Sequence, residues 1–260
     1  MTAAPVRIAI AGALGRMGKV VAAVVADDPR FAVAARFDRG EGEGLVTRAE
    51  GLACAHVVID FSRPEASVEL ARAAVTGGPA LVIGSTGMSE AQAAAVDEAA
   101  TRVPVIRSGN FSLGVNLLLG LVRQAAAALP ASEWDIEVFE AHHRRKVDAP
   151  SGTALMLGEA AAGGRGSALS DLRLAPHDGV GDPRVSGGIG FSVMRAGGIV
   201  GEHSVVLAAE DEILTLSPSA RDRRLFARGA VAAALWIHGR RPGLYRMEHV
   251  LGLARPASAP

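Results

Sequence analysis

The chain has 260 residues, 49% of them hydrophobic, which is enough to build one large α/β domain or two modest ones. Its formal net charge is zero, so no global field draws it to nucleic acid or to an anionic membrane, and any pull on an anionic ligand must be local. A single cysteine, Cys54, excludes a disulfide framework and a cysteine-rich metal cage, and no apolar run approaches the roughly 18 residues of a membrane span.

Strand-like and helix-like segments alternate over the first half. Residues 6–11 (VRIAIA) read as a buried strand, 15–26 as a helix ended by Asp27-Asp28-Pro29, and 31–37 (FAVAARF) as a second strand. Residues 57–61 (VVIDF), 81–84 and 103–107 give three more strands, separated by helices over 64–75 and 89–101. This alternation predicts a parallel sheet with helices on both faces. Residues 110–129 read as a long apolar helix, and then the pattern changes. Residues 135–141 (DIEVFEA) alternate polar and apolar, as a half-buried antiparallel strand does. A helix follows Pro150-Ser151-Gly152-Thr153. Residues 189–195, 201–208 and 212–217 read as strands of an open sheet, mixed or antiparallel, and hence of a second domain. Residues 163–167 and 177–188 read as flexible loops, 225–237 as a last helix, and 257–260 as a disordered tail.

Gly12-Ala13-Leu14-Gly15-Arg16-Met17-Gly18 follows the first strand and opens the first helix. This is a G-x-x-G-x-x-G relative of the dinucleotide fingerprint. Glycines let the backbone pass close to a pyrophosphate, and the helix N-terminus offers unpaired N–H donors. Out of context such a run is also a plain tight turn; here strand, turn and helix come in the required order. Arg16 adds a charge beside the phosphates. Asp38, about 20 residues past the glycines, suits the adenosine ribose hydroxyls, and the adjoining Arg39 suits a 2′-phosphate. Together they fit both NADH and NADPH, although an isolated Asp-Arg pair also reads as solvated loop charge. Gly84-Ser85-Thr86 and Ser108-Gly109-Asn110-Phe111 stand at carboxyl ends of strands, where open parallel sheets bind ligands. They suit a nicotinamide carboxamide and ribose as well as they suit ordinary turns.

His142-His143-Arg144-Arg145-Lys146 puts five basic or potentially basic side chains in a row within a neutral chain. By itself such a run is usually a solvated face or a nucleic-acid patch. Two features favour a site. Lys146 is one of only two lysines among 27 basic residues, and lysine, unlike arginine, can give up a proton. Directly after it, Pro150-Ser151-Gly152-Thr153 looks like a helix start with Ser151 as cap, a ready carboxylate site. Cluster and turn together imply a substrate with more than one carboxylate and a proton donor beside it. Aromatics at 4% argue against nucleic acid, and the adjacent histidines without cysteines argue against a metal.

These residues resemble the dihydrodipicolinate reductase family. The glycine turn with Ile10 and Ala11 is similar to its cofactor loop. Ile59-Asp60-Phe61-Ser62-Arg63-Pro64, Ile83 to Gly87 and Asn110-Phe111-Ser112-Leu113-Gly114-Val115-Asn116 resemble further segments. Glu140-Ala141-His142-His143-Arg144-Arg145-Lys146-Val147-Asp148-Ala149-Pro150-Ser151-Gly152-Thr153-Ala154 is similar to its signature, and Arg195-Ala196-Gly197 with Ile199 to His203 resembles a later block. The resemblance spans nearly the whole chain, in order.

It implies an α/β fold with a Rossmann-like dinucleotide-binding domain, 1–112 and 223–260, plus an α+β domain with an open mixed sheet, 113–222, for substrate binding and tetramer formation. It implies reduction of 4-hydroxy-tetrahydrodipicolinate to tetrahydrodipicolinate, on the route to diaminopimelate and lysine, by NADH or NADPH. Loss of water gives a conjugated imine, hydride adds to the ring, and Lys146 supplies the proton. His142 and Lys146 are the implied catalytic pair, His143 touches substrate, and Gly152 and Thr153 hold a carboxylate. A homotetramer in the cytoplasm is expected, with no membrane or nucleic-acid partner. Residues 40–56 are shorter than is usual in the family, Gly198 stands where an acidic residue is frequent, and Gly109 where alanine or proline is common. Rival readings are another Rossmann-fold dehydrogenase of a small carboxylate, or a nucleotide sensor without chemistry. A semialdehyde dehydrogenase would need a nucleophilic cysteine, and Cys54 lies far in sequence from the His-Lys cluster.

Overall fold

In the computed structural model, which describes residues 4–40 and 42–254, the chain divides into two compact units. The first runs to Leu113 and resumes at Arg223; the second is Gly114–Asp222. The expected disorder of 257–260 lies outside the described residues.

The first unit is built from β1 (Val6–Ala11), α1 (Arg16–Ala26), β2 (Phe31–Phe37), α2 (Arg48–Cys54), β3 (Val57–Asp60), α3 (Pro64–Ala74), β4 (Ala80–Ile83), α4 (Glu90–Ala99) and β5 (Pro104–Arg107). The second holds nearly all of α5 (Leu113–Ala128), then β6 (Asp135–His142), α6 (Gly152–Gly164), α7 (Leu169–Leu172), β7 (Ile189–Arg195), β8 (Glu202–Ala208) and β9 (Ile213–Leu216). The chain then returns to the first unit with α8 (Arg224–Ile237), β10 (Gly243–Tyr245) and α9 (Met247–Val250).

In the first unit six strands pair in the order β10-β5-β4-β3-β1-β2, every pair parallel. The pleat sends alternate residues to opposite faces. Ile8, Ile10, Val57, Ile59, Val82 and Ile106 pack with α1 and α8, through Val21, Val25, Ala230, Ala234 and Ile237. Ala9, Ala11, Val58, Leu81, Ile83 and Val105 pack with α3 and α4, through Leu70, Ala71, Ala74, Val96 and Ala99. Burial on both faces is why these strands read as unbroken apolar runs rather than alternating ones. The fold class expected from the sequence is therefore the one observed.

Several local expectations need correction. The third strand ends at Asp60, not Phe61, because the Asp60 side chain accepts the Ser62 N–H at 2.8 Å and turns the chain. Residues 110–112 are not helical; Asn110 Oδ1 takes the Ser112 N–H at 2.8 Å in a turn before α5. The short 40–56 segment contains α2, started by a capping box between Thr47 and Glu50. Cys54 ends that helix half-buried, its Sγ 3.8 Å from the Ala34 carbonyl. The strand β10 and the short helices α7 and α9 were not foreseen.

The second unit has a four-stranded sheet in the order β7-β6-β8-β9. β6 is central, parallel to β7 and antiparallel to β8, so the strand expected to be antiparallel is so on one side only. Ile136, Val138, Ile189, Val205 and Leu207 pack under α5 and α6, against Leu118, Val122, Leu157 and Ala161. On exposed strand positions β7 and β9 carry Val193, Met194, Ile213 and Leu214. Helix α6 continues to Gly164, into the segment expected to be loop.

Candidate active site

The glycine turn sits between β1 and α1. Gly12 has φ +70°, left-handed backbone that a side chain would strain, and it lies directly on the Ser62 backbone. At Gly18 a Cβ would overlap the Gly12 carbonyl and the Ala13 Cα, so only glycine lets α1 approach the turn this closely. The N-cap of α1 is Gly15 and no side chain caps the helix, which leaves its first N–H groups for an external acceptor. Beside this turn opens a cleft of about 680 Å³ at the carboxyl ends of β1, β2 and β3, lined by Gly12, Leu14, Gly15, Asp38, Arg39, Ser62 and Arg63 among others. Glycine backbone, a bare helix N-terminus and flanking arginines are the donor set a dinucleotide pyrophosphate requires, so the residues present fit NADH or NADPH.

Asp38 Oδ2 accepts the Leu14 N–H at 2.9 Å, and Oδ1 accepts the Arg39 N–H at 2.7 Å. Its carboxylate therefore braces the glycine turn and retains acceptor capacity at the cleft wall. Ala13 is buried and Met17 half-buried in the core, so those side chains shape the turn from behind, while Arg16 is exposed on α1. Gly84, Ser85 and Thr86 follow β4, with Ser85 buried. Ser108, Gly109, Asn110 and Phe111 follow β5, where Ser108 Oγ donates to the Asn110 carbonyl at 2.7 Å. The Phe111 ring is a core residue, edge-on to Phe61 at 5.7 Å between centroids. Arg63 and Ser62, absent from the expected cofactor set, line the cleft.

Asp60 lies beneath that cleft wall with no exposure. Its Oδ1 takes the Ser62 N–H, its Oδ2 takes the Ser67 hydroxyl, and Ser67 Oγ meets Ser85 Oγ at 2.7 Å. Burial raises its pKa, against the hydrogen bonds from Ser62 and Ser67 that favour the ionised form.

In the second unit the signature residues gather around Glu140, which is fully buried near the end of β6. Register places His142 opposite Arg195 on β7 and Glu140 opposite His203 on β8. Arg195 grips the Glu140 carboxylate with Nη1 at 2.8 Å and Nη2 at 2.7 Å. The Ser151 N–H donates to Oε1 at 3.0 Å, and His142 Nδ1 bonds Oε2. Burial alone would raise the Glu140 pKa; the bonds from Arg195, His142 and Ser151 outweigh it and hold the group below its ordinary value. With Nδ1 so engaged, the Nε2 end of the His142 ring points toward Gly201.

Ser151 caps α6, its Oγ accepting the Ala154 N–H at 3.2 Å and lying 3.1 Å from His203 Nε2. Ser151, expected among the substrate-binding residues, is 2% exposed. Gly152, exposed and with nothing within 4 Å of where a side chain would start, and Thr153 stand in the first turn of α6. Burial, then the nearby His142, pushes the His203 pKa down to about 4, so His203 is neutral near pH 7. Lys146 Nζ bonds both oxygens of Asp148 at 2.7 Å and its side chain is 22% exposed. His143 Nδ1 is buried without a hydrogen-bond partner, whereas Arg144 and Arg145 are exposed. Glu140, Arg195, Asp148 and His203 were not singled out as site residues.

Comparison with known proteins agrees with this geometry. Residues 6–111 match the family model for the dihydrodipicolinate reductase N-terminus, and residues 114–251 match that for its C-terminus. A 4-hydroxy-tetrahydrodipicolinate reductase of Caulobacter vibrioides is 64% identical over 254 residues, covering 96% of this chain and 99% of the relative. One from Allorhizobium ampelinum is 47% identical over 268 residues, again covering 96% and 99%. Among solved structures, a dipicolinate-bound dihydrodipicolinate reductase from Paenisporosarcina sp. TG-14 shares the fold at a TM-score of 0.76 and 21% identity, covering 93% of this chain and 97% of that one. With both halves matched in order, and the glycine turn and basic signature each seated in its own unit, the chain belongs to the dihydrodipicolinate reductase family.

Proposed function

We infer that this chain is an oxidoreductase that reduces 4-hydroxy-tetrahydrodipicolinate to tetrahydrodipicolinate with NADH or NADPH, in diaminopimelate and lysine biosynthesis. The observation that carries the reading is the Glu140-centred network, which ties a histidine, an arginine and a helix N-terminus together inside the family's signature.

The turn residues Gly12 to Met17 hold the pyrophosphate, Asp38 and Arg39 the adenosine ribose end, and the turns at 84–86 and 108–111 the nicotinamide end. The bound cofactor supplies a hydride to the substrate ring. Backbone N–H groups of Gly152 and Thr153, at the positive end of α6, hold a substrate carboxylate. His143 contacts the substrate. Lys146 gives up a proton to the reduced ring, its ion pair with Asp148 keeping the ammonium in place until substrate charge competes for it. Glu140 orients His142, which shares in that proton transfer. Domain roles follow: residues 1–112 with 223–260 bind the cofactor, and residues 113–222 bind substrate and assemble the protein. Exposed Val193, Met194, Ile213 and Leu214 support a homotetramer built on this sheet. Among the described residues no helix is long and apolar enough to cross a membrane, and the cytoplasm is the proposed setting.

The test is spectrophotometric. Oxidation of NADH and of NADPH is followed with freshly made product of dihydrodipicolinate synthase as substrate. Lys146→Arg should lower kcat by about 100-fold or more, the scale of a lost general acid, and leave cofactor binding intact. No oxidation of either cofactor by the wild-type enzyme would overturn the assignment.

A further inference from the structure

Asp60 is closed to solvent and is not itself part of the cleft lining, yet its two oxygens lead to two different ligand-facing turns. Oδ1 fixes the Ser62 N–H at 2.8 Å, and the Ser62 backbone is what Gly12 rests on. Oδ2 takes the proton of Ser67, which in turn stands 2.7 Å from Ser85 Oγ in the turn after β4. Ser67 Oγ stands 3.2 Å from the Arg63 carbonyl as well, a longer contact than the one to the carboxylate. With the Ser67 proton on the carboxylate, its oxygen is left to accept from Ser85, which fixes the Ser85 hydroxyl. Sheet order puts these turns at two stations of one ligand. β1 and β4 flank β3, and a dinucleotide laid across the carboxyl ends runs from β2, over the β1 turn, toward β4.

We propose that Asp60 is a positioning residue for the cofactor, clamping the turn under the pyrophosphate to the turn that receives the nicotinamide through the chain Asp60–Ser67–Ser85. The inference rests on the cofactor reading above and adds a residue to it. The two arms are separable. Ser67→Ala cuts the arm to Ser85 and leaves the Ser62 arm whole, whereas Asp60→Asn disturbs both.

The experiment compares two ligands. NADH binding is measured by its fluorescence and ADP-ribose binding by calorimetry, in wild type, Ser67→Ala and Asp60→Asn, with melting curves to show that each variant is folded. ADP-ribose carries the pyrophosphate and adenosine but no nicotinamide. Ser67→Ala should raise the Kd for NADH about tenfold, the scale of one lost hydrogen bond, and leave that for ADP-ribose unchanged. Asp60→Asn should weaken both ligands. Equal weakening of the two ligands in Ser67→Ala, or no change in either, overturns the proposal. Should Ser67→Ala not fold, Ser85→Ala cuts the same arm at its far end and is read by the same ratio. Failure of wild-type protein to bind NADH at all would instead defeat the cofactor reading itself.

Discussion

Glu140→Gln keeps the shape of the side chain and removes its charge. The carboxylate now meets donors on every side: two from Arg195, the Ser151 N–H and His142 Nδ1. An amide offers one oxygen to that ring of donors and turns an NH2 group against another. Breaking a buried ion pair by removing one partner costs about 3–5 kcal/mol. Arg195 keeps 20% side-chain exposure, so water answers part of the loss, and the low end, about 3 kcal/mol, is expected. For a chain of this size that is a fall of about 10 °C in melting temperature. The dependence on pH has a definite sign. The ordinary carboxyl value is 4.5 and the folded value lies below it, so the advantage of the wild type is complete above pH 4.5. It disappears as pH falls through the lower, folded value. Denaturant and thermal melts of both proteins at neutral pH and in acid measure this gap. The same substitution turns an NH2 toward His142 Nδ1 and forces the other tautomer, so kcat should fall by about 100-fold, with NADH affinity unchanged. Coincident melting curves at neutral pH, or a gap that widens in acid, would refute the reasoning.

Gly18→Ala places a Cβ into the Gly12 carbonyl, so the turn must shift; NADH affinity should drop at least about tenfold with a stability loss of about 1–3 kcal/mol. An unchanged NADH titration would show that the turn tolerates the displacement. His203→Gln addresses acid stability. With a folded pKa of about 4 against 6.5 unfolded, wild-type His203 costs nothing above pH 6.5 and removes about 3 kcal/mol as the pH falls to 4. The variant should lose that slope between pH 6.5 and 4, and identical slopes in the two proteins would contradict it.

Much of this architecture could be read from the chain alone because each signal was local. Apolar runs such as VRIAIA and VVID are buried on both faces, and the glycines between strand and helix mark a close backbone approach. The signature block announced its basic side chains. What periodicity could not show was the fate of an acidic residue on an alternating strand. The alternation of DIEVFEA puts Glu140 on the same face as the core residues Ile136 and Val138, and only the register with β7 and β8 brings Arg195 and His203 to it from 55 and 63 positions away. Asp60 was hidden likewise, since its partners Ser67 and Ser85 lie on a helix and on the turn after the next strand. Helix α2 left a usable trace, Thr47 followed three residues later by Glu50, a capping-box spelling in a stretch judged only by its shortness. The strand β10 left none: Gly-Leu-Tyr is too short to show a period.

The return of the chain to its first unit has a consequence for synthesis. Residues 114–222 possess all four strands and the covering helices of their own core, and can close as soon as they leave the ribosome. The nucleotide unit cannot. One face of its sheet is covered by α1 alone until Ala227, Ala230, Ala234 and Ile237 are translated, and β5 has no outer neighbour until Gly243–Tyr245 arrives. The lobe that begins the polypeptide is thus the last to mature, and a chain that has emerged only as far as residue 222 holds a closed second unit and a nucleotide unit with part of its sheet uncovered.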